Sequence, residues 1–130
     1  MLRFKLNFMS KKVLVVIEDL FFTVKINESV KHAGLTPEFV RTEVDALERA
    51  KLQPVAIVID LNCAGIDPVR LIGQLKALPE LKGISLLAFV SHVQAELKQK
   101  AQEAGCDMVL ARSAFSKNME QMFKRYAGTV

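Results

Sequence analysis

Two stretches, VLVVIED at residues 13–19 and VAIVIDLN at residues 55–62, decide the fold of this chain of 130 residues. Each stretch begins with a nearly continuous run of apolar, mostly β-branched residues and then reaches a carboxylate. An unbroken apolar run of this length is typical of a strand that is buried on both faces of a parallel sheet. The two stretches therefore predict central strands of such a sheet, with acidic residues at their carboxyl ends.

The rest of the chain alternates between strand and helix patterns. Residues 84–90 and 107–111 predict two further strands, and residues 37–41 predict a weaker, polar strand near an edge of the sheet. Gly34 is predicted to be a left-handed cap after the first helix, and Thr42 and Asp67 to be N-caps of the next two. This order predicts an α/β fold, a single doubly wound five-stranded parallel sheet with right-handed crossovers and helices on both faces. Apolar residues at spacings of three and four predict the helices, which cover about residues 20–33, 42–52, 67–78, 93–104 and 115–126.

The composition is that of one globular domain. Hydrophobic residues make up 51% and charged residues 25% of the chain, which excludes a disordered tail, a collagen-like fibre and a disulfide scaffold. The net charge is +4, and Arg3 and Lys5 contribute two of these charges, so that nucleic-acid binding by the field of the whole protein is not indicated. Cys63 and Cys106 have no CxxC partner and are predicted to be reduced, in a cytoplasmic protein. No apolar run is long enough to predict a membrane span.

A domain boundary is predicted near residue 10. Residues 11–127 carry the alternating pattern, and residues 1–10, MLRFKLNFMS, are predicted to be an N-terminal extension. This extension lacks the apolar centre and the small-residue cleavage site of a signal peptide. Met9 begins a natural-looking start, so residues 1–8 are expected either to be a disordered arm or not to be native to the protein.

Polar side chains gather at the predicted carboxyl edge of the sheet. Ligands of open α/β sheets bind beyond this edge, near the point where the strand order reverses. Three carboxylates repel one another unless a proton or a cation lies between them, and Mg²⁺ prefers oxygen ligands. The edge therefore predicts a Mg²⁺ site, at which a carboxylate can also attack a phosphoryl group. The residues that end the strands are Glu18, Asp19, Asp60, Ser91 and Arg112.

These features resemble those of a response-regulator receiver domain of the CheY-like superfamily. The resemblance rests on VLVVIED, on VAIVIDLN, on the serine that closes the fourth strand and on AGCD at residues 104–107. It covers roughly residues 11–127 and implies the strand order 2-1-3-4-5. It also implies a role for each matching residue: Asp60 accepts the phosphoryl group, Glu18, Asp19, Asp60 and the backbone carbonyl of Asn62 hold Mg²⁺, Ser91 supplies the switch hydroxyl, and Arg112 stands in place of the family lysine.

Several positions depart from the family pattern. Arg112 and Ser113 replace the lysine–proline pair after the fifth strand. A trans peptide is therefore predicted where the family usually has a cis one, because a cis bond before a non-proline residue costs about 2.5–4 kcal/mol. Val109 replaces the switch aromatic and cannot rotate as a tyrosine does, and Ala64 replaces the proline in the loop after Asp60. These departures indicate a divergent receiver whose phosphorylation is altered or lost.

Structural interpretations of the same residues stay open. Phe21 lies outside the apolar stripe of the first helix and is a candidate for a partner contact. His32 and His92 have no second metal ligand in the sequence and are predicted to be ordinary, partly exposed residues. For the site itself, Glu18 and Asp19 also suit a helix N-terminus, Ser91 suits a helix N-cap, and Arg112 suits a resting ion pair with Asp60.

Three functions are compatible with these patterns. The leading hypothesis is a single-domain receiver, not an enzyme, that accepts a phosphoryl group on Asp60 from a histidine kinase or a phosphotransfer protein and signals to a downstream protein target. The second is a pseudo-receiver that acts as an interaction module without phosphorylation. The third, a flavodoxin-like cofactor binder or small α/β enzyme, is disfavoured because the loop after the first strand is acidic and apolar and because GxGxxG and GxxxxGK[ST] motifs are absent. The oligomeric state is not predicted.

Overall fold

The structure is a computed structural model that describes residues 11–91 and 94–128. The predicted N-terminal extension, His92 and Val93 lie outside the described residues. Within these residues the sheet has five strands, β1 Lys12–Val16, β2 Thr36–Val40, β3 Ala56–Asp60, β4 Ser85–Val90 and β5 Met108–Ala111. The α-helices that alternate with them are α1 Leu20–His32, α2 Glu43–Ala50, α3 Pro68–Lys76, α4 Ala95–Glu103 and α5 Arg112–Ala127, and a 3₁₀ helix covers Pro79–Leu81.

All five strands are parallel, and their order across the sheet is β2-β1-β3-β4-β5. The predicted fold class and strand order are confirmed. β1 and β3 are neighbours, with Val16 opposite Ile59, and β3 continues to Asp60, which lies opposite Phe89 of β4. The carboxyl ends of β1 and β3 therefore meet at one edge of the sheet, together with the acidic residues that follow them.

Each face of the sheet buries its own apolar core. β1 and β3 are buried along nearly their whole length, as their continuous apolar runs predict. Leu14 and Val16 pack into the core formed with α2, α3 and α4, whereas Val13 and Val15 pack into the core formed with α1 and α5. This alternation follows from the period of two in a strand. None of the helices in the described part of the chain is long and apolar enough to cross a membrane.

Oxygen-bearing side chains begin the first three helices. Asp19, Thr42 and Asp67 each accept a hydrogen bond from the backbone N–H three residues further on, at 3.1, 3.1 and 3.2 Å respectively. These bonds satisfy donors that have no partner within the helix. The predicted N-caps Thr42 and Asp67 are confirmed, and so is the left-handed Gly34, whose φ is +84°.

Two helices end earlier than the apolar pattern predicts. α2 ends at Ala50 rather than near Leu52, because Gln53 adopts a left-handed backbone with φ of 63° and Leu52 stays exposed. α3 ends at Lys76 rather than at residue 78, since Pro79 keeps the residue before it out of the helical region. In both cases the backbone conformation of a nearby residue ends the helix, and the spacing of apolar residues carries no information about it.

Gly105, which follows the C-cap residue of α4, allows a stability prediction. Its φ is +112°, and a Cβ there would lie 3.0 Å from Cγ of Lys76. Gly105→Ala is expected to lower the free energy of unfolding by about 1–2 kcal/mol, because L side chains rarely adopt this conformation and the Lys76 side chain must move. Gly83→Ala is the control, because Gly83 is not left-handed and a Cβ there meets nothing within 4 Å. Urea unfolding measures both changes, and equal losses in the two variants would contradict this account.

Candidate functional site

Three carboxylates follow the ends of β1 and β3. Glu18 and Asp19 lie between β1 and α1, and Asp60 is the last residue of β3. Glu18 is exposed and Asp19 is half-buried. Asp60 is only 5% exposed and is the one buried charged side chain among the described residues. Burying a charge lowers the stability of the folded state unless other groups compensate for it. The buried charge of Asp60 is therefore expected to destabilise the fold.

The Asp60 carboxylate is held through one of its two oxygens. Oδ1 accepts a hydrogen bond from the backbone N–H of Asn62 at 2.8 Å, whereas none of the described residues donates to Oδ2. Burial raises the pKa of Asp60 above its ordinary value of 3.8, and the Asn62 hydrogen bond and the charge of Arg112 oppose this rise. The negative charges of Asp19 and Glu18 add to it. Asp60 therefore offers one oriented carboxylate with a free oxygen.

Asp19 has both of its carboxylate oxygens engaged. Oδ1 caps α1 by accepting from the backbone N–H of Phe22 at 3.1 Å, and Oδ2 accepts from Nη2 of Arg112 at 2.5 Å. The Arg112 hydrogen bond, followed by the Phe22 hydrogen bond, holds the pKa of Asp19 below its ordinary value. The resting ion pair of Arg112 with Asp60, one of the two alternatives for this residue, is therefore wrong. The guanidinium pairs with Asp19 instead, because the cap already fixes this carboxylate in a half-buried position within its reach.

A second contact holds the Arg112 guanidinium in place. Its Cζ lies 4.3 Å from the centroid of the Phe22 ring, which is the arrangement of a cation–π interaction. Arg112 is also the first residue of α5, which begins directly after β5 and not near Phe115 as predicted. The backbone of Arg112 is therefore held between the end of β5 and the first turn of α5, and this fixes the position from which its side chain extends into the site.

Glu18 turns towards the loop that follows β3. Its Oε1 accepts a hydrogen bond from the backbone N–H of Gly65 at 3.2 Å, and a Cβ on Gly65 would lie 2.8 Å from Oε2. The glycine therefore permits this close approach. The sequence contains Gly65 within the loop LNCAGI, but nothing in that loop identifies the residue as the partner of a carboxylate 47 positions earlier.

Asn62 connects the loops after β3 and β4 through its side chain. Its Oδ1 accepts from the backbone N–H of Ser91, and its Nδ2 donates to Oε1 of Gln94, both at 2.8 Å. The sequence does not predict this side-chain bridge, since the resemblance assigns a role only to the backbone carbonyl of Asn62. The N-cap role of Ser91, the alternative to its role as switch hydroxyl, is wrong, because α4 begins at Ala95 with Gln94 at its N-cap. The helix starts several residues after the strand, so the serine is too early to cap it.

Ser91 and Arg112 both line an open cleft of about 430 Å³. Because the side chains of the cleft are hydroxyls, cations and one aromatic ring, it suits a negatively charged group better than a cation. The remaining lining residues are Phe22, Lys25, Ser113 and Ser116.

The departures from the family pattern have visible consequences. The described residues contain no cis peptide bond, which confirms the predicted trans bond between Arg112 and Ser113. Val109 lies in β5 opposite Ala88 of β4 and is buried in the core. Its short side chain cannot swing between a buried and an exposed position as a tyrosine can. Phe21 is 92% exposed while Phe22 is buried, so Phe21 stays a candidate for a partner contact. His32 is an exposed residue of α1 whose Nδ1 lies 3.8 Å from Glu120.

The oxygen ligands at this edge of the sheet suit a hard divalent cation, but one of them, Asp19, already pairs with Arg112. Carboxylates and carbonyl oxygens are the ligands that Mg²⁺ prefers, and Asp60, Asp19 and the Asn62 carbonyl supply them at one edge. However, no three Asp, Glu, His or Cys side chains among residues 11–91 and 94–128 lie close enough to form a ready-made metal cluster. Glu18 accepts from Gly65, and Asp19 already pairs with Arg112, so a cation that approaches Oδ2 of Asp19 meets the guanidinium there.

Comparison with known proteins finds matches among solved structures only. Neither the protein-family models nor the curated proteins give a match. The chemotaxis response regulator CheY4 of Vibrio cholerae superposes with a TM-score of 0.76 at 18% identity, over 89% of this chain and 98% of that one. The receiver domain of a signal transduction histidine kinase from Syntrophus aciditrophicus has a TM-score of 0.78 at 20% identity, over 92% of both chains.

A third solved structure carries a metal. It is the receiver domain of a sensor histidine kinase from Pseudomonas aeruginosa with a magnesium ion coordinated in its active-site cleft, and it superposes with a TM-score of 0.77 at 17% identity, over 91% of this chain and 98% of that one. All three neighbours are receiver domains of the CheY-like type. This chain therefore has the fold of a response-regulator receiver domain, with a carboxylate at the end of β3 and an arginine–aspartate ion pair beside it.

Proposed function

We propose that this protein is a phosphorelay receiver, which accepts a phosphoryl group on Asp60 and signals through protein–protein contacts. The observation that supports this most strongly is the Asp60 carboxylate, buried at the carboxyl end of β3, whose Oδ1 is fixed by the Asn62 N–H and whose Oδ2 receives no hydrogen bond from any described residue. A nucleophile needs such an oriented oxygen with a free lone pair. The donor would be a histidine kinase or a phosphotransfer protein, and the acceptor of the signal a downstream protein.

The proposed transfer forms one bond and breaks one. Oδ2 of Asp60 forms a P–O bond, and the P–N bond of a phosphohistidine breaks, with its electron pair leaving on the donor imidazole. Asp19, Asp60 and the Asn62 carbonyl would hold Mg²⁺, with Glu18 nearby, and the bound ion would offset the charge of the transferred group. The Ser91 hydroxyl would bond a phosphoryl oxygen after transfer, and the cations of the neighbouring cleft would favour the added negative charge.

A second candidate function is a pseudo-receiver that binds its partner without phosphorylation. The Arg112–Asp19 ion pair favours it, because a guanidinium already neutralises part of the acidic edge without a metal. Val109 favours it as well, since a buried valine has no exposed state to rotate into. In either case we propose a non-enzymatic signalling module in the cytoplasm, a reducing compartment that suits the free thiols of Cys63 and Cys106.

Phosphorylation with a small donor separates the two functions. Incubation with acetyl phosphate and Mg²⁺ is expected to add the mass of one phosphoryl group to the intact protein, and Asp60→Asn is expected to abolish this gain, because an amide oxygen is a far weaker nucleophile than a carboxylate. Asp67→Asn is the matched control. Asp67 caps α3 in the same loop region, and asparagine caps a helix as well as aspartate does, so this variant should gain the same mass as the wild type.

The outcomes separate the candidates. No mass gain in the wild type at high concentrations of acetyl phosphate, with the fold verified by circular dichroism, would favour the pseudo-receiver. A gain that persists in Asp60→Asn would place the modification on another residue and contradict the assignment of Asp60.

A further inference from the structure

We propose that Arg112 is a built-in counter-ion that competes with a divalent cation for Asp19, so that metal binding requires the Arg112 side chain to move away. This inference rests on the metal site of the proposed function and concerns how that site is controlled. It assigns Arg112 a role that differs from that of a group waiting to contact phosphate: in the resting protein it occupies the position of the cation.

The first argument is the occupancy of the Asp19 carboxylate. Oδ1 is committed to the N–H of Phe22 at the start of α1, and Oδ2 is in contact with Nη2 of Arg112. The side chains of Arg112 and Asp19 are 37% and 32% exposed, respectively, so the pair is partly shielded from water. A cation that approaches Oδ2 therefore meets a like charge already in contact with this oxygen, and two cations at such a short separation repel each other.

The second argument is the surface that holds the guanidinium. The Phe22 ring, 4.3 Å from Cζ of Arg112, is 6% exposed and packs edge-to-face against Phe89 and Phe115 at centroid distances of 5.0 and 6.1 Å. Phe89 and Phe115 are themselves stacked at 5.0 Å. This rigid aromatic cluster fixes the platform on which the guanidinium rests, so Arg112 is held by two independent interactions and not by a surface ion pair alone.

The third argument is the place to which the side chain can move. Arg112 itself lines the cleft together with Ser91, Ser113 and Lys25, and none of the residues that line this cleft carries a carboxylate. A phosphoryl group on Asp60 would bring new negative charge to this edge and could attract the guanidinium away from Asp19. Departure of the guanidinium would open Asp19 to the metal, so phosphoryl and metal binding are expected to favour each other.

Metal binding in the absence of any phosphodonor tests the proposal. Mn²⁺ is the probe, and the free ion is measured by electron paramagnetic resonance during titration of the full chain. Arg112→Gln is expected to bind Mn²⁺ on the order of tenfold more tightly than the wild type, because it removes the competing charge. Arg49→Gln is the matched control. It also removes one positive charge, but Arg49 pairs with Glu38 at 3.2 Å at the far end of α2, so its affinity should equal that of the wild type.

A second variant keeps the test decisive if Arg112→Gln does not fold. Phe22→Leu keeps an apolar side chain but removes the ring face under the guanidinium, and is expected to tighten Mn²⁺ binding by about two- to fivefold. In the Asp19→Asn background, Arg112→Gln should no longer increase affinity. Equal or weaker Mn²⁺ binding in the folded Arg112 or Phe22 variants, or no Mn²⁺ binding to any of the proteins, would overturn the proposal.

Failure of the proposed function gives a different result. If the wild type is not phosphorylated but Arg112→Gln binds Mn²⁺ more tightly, the counter-ion role stands and the receiver function at Asp60 fails. If the wild type is phosphorylated and the Arg112 variant shows no gain in Mn²⁺ affinity, the receiver function stands and the counter-ion role fails.

Discussion

Phe115→Ala is expected to lower the free energy of unfolding by about 3–5 kcal/mol, the range typical of a phenylalanine truncated in a core. Phe115 is 1% exposed and lies at the centre of the aromatic cluster. Its ring stacks on Phe89 at 5.0 Å and meets Phe22 and Phe123 edge-on at 6.1 and 6.3 Å. Truncation removes all three contacts and leaves a cavity between the sheet, α1 and α5. A domain of this size has a total stability of about 5–15 kcal/mol, so the loss is a large fraction of the whole.

Phe21→Ala is the matched control for this variant, because the same change is made at a ring that is 92% exposed. It should alter the free energy of unfolding by less than about 0.5 kcal/mol. Urea unfolding followed by far-UV circular dichroism measures both. A loss below about 1 kcal/mol in Phe115→Ala would mean that the neighbouring rings close the cavity, and that the cluster is less rigid than its packing suggests.

The contrast between Phe21 and Phe22 illustrates what the sequence could predict. Apolar spacing along α1 places Phe22 inside and Phe21 outside, and the burial of the two rings agrees. The same physical reason explains the prediction of the strands. β1 and β3 are buried on both faces and therefore read as unbroken apolar runs, whereas β2, at the edge, is more polar and carries Pro37. The local pattern of apolar residues is sufficient to predict an element when burial determines which residue types it contains.

The partners of the site residues could not be predicted in this way. Arg112 bonds Asp19 and not Asp60, and the two partners are 93 residues apart in the chain. Which carboxylate a guanidinium reaches depends on where the strand ends and helix starts lie in space, and residue spacing does not encode these positions. The Asn62 amide bridge to Ser91 and Gln94 is of the same kind. Sequence order brings these groups to one edge, but the choice among possible hydrogen bonds is made by the packed structure.

Asp60→Asn is expected to raise the free energy of unfolding by roughly 1–2 kcal/mol at pH 7 in a buffer with EDTA, as is common when a strained functional site is relieved. Burial raises the pKa of Asp60 in the folded protein above its ordinary value of 3.8. The folded state therefore binds this proton more tightly than the unfolded state, and stability falls as the pH rises from about 3.8 through the folded pKa. Above the folded pKa of Asp60 the whole cost of the buried charge is present. Asparagine carries no charge, and its Oδ1 can still accept from the Asn62 N–H.

The pH dependence distinguishes this effect from a general gain in packing. The advantage of Asp60→Asn over the wild type should shrink as the pH falls towards 3.8, because the wild-type carboxyl then becomes neutral. Asp107→Asn should have the opposite sign, since Asp107 pairs with Lys76 at 3.2 Å and accepts from the Leu86 N–H at 2.8 Å, so loss of its charge weakens both contacts. An Asp60→Asn variant that is less stable than the wild type at pH 7 would mean that Arg112 compensates the buried charge after all. The carboxylate would then be a stabilising member of an ion-pair network rather than a site kept at the expense of stability.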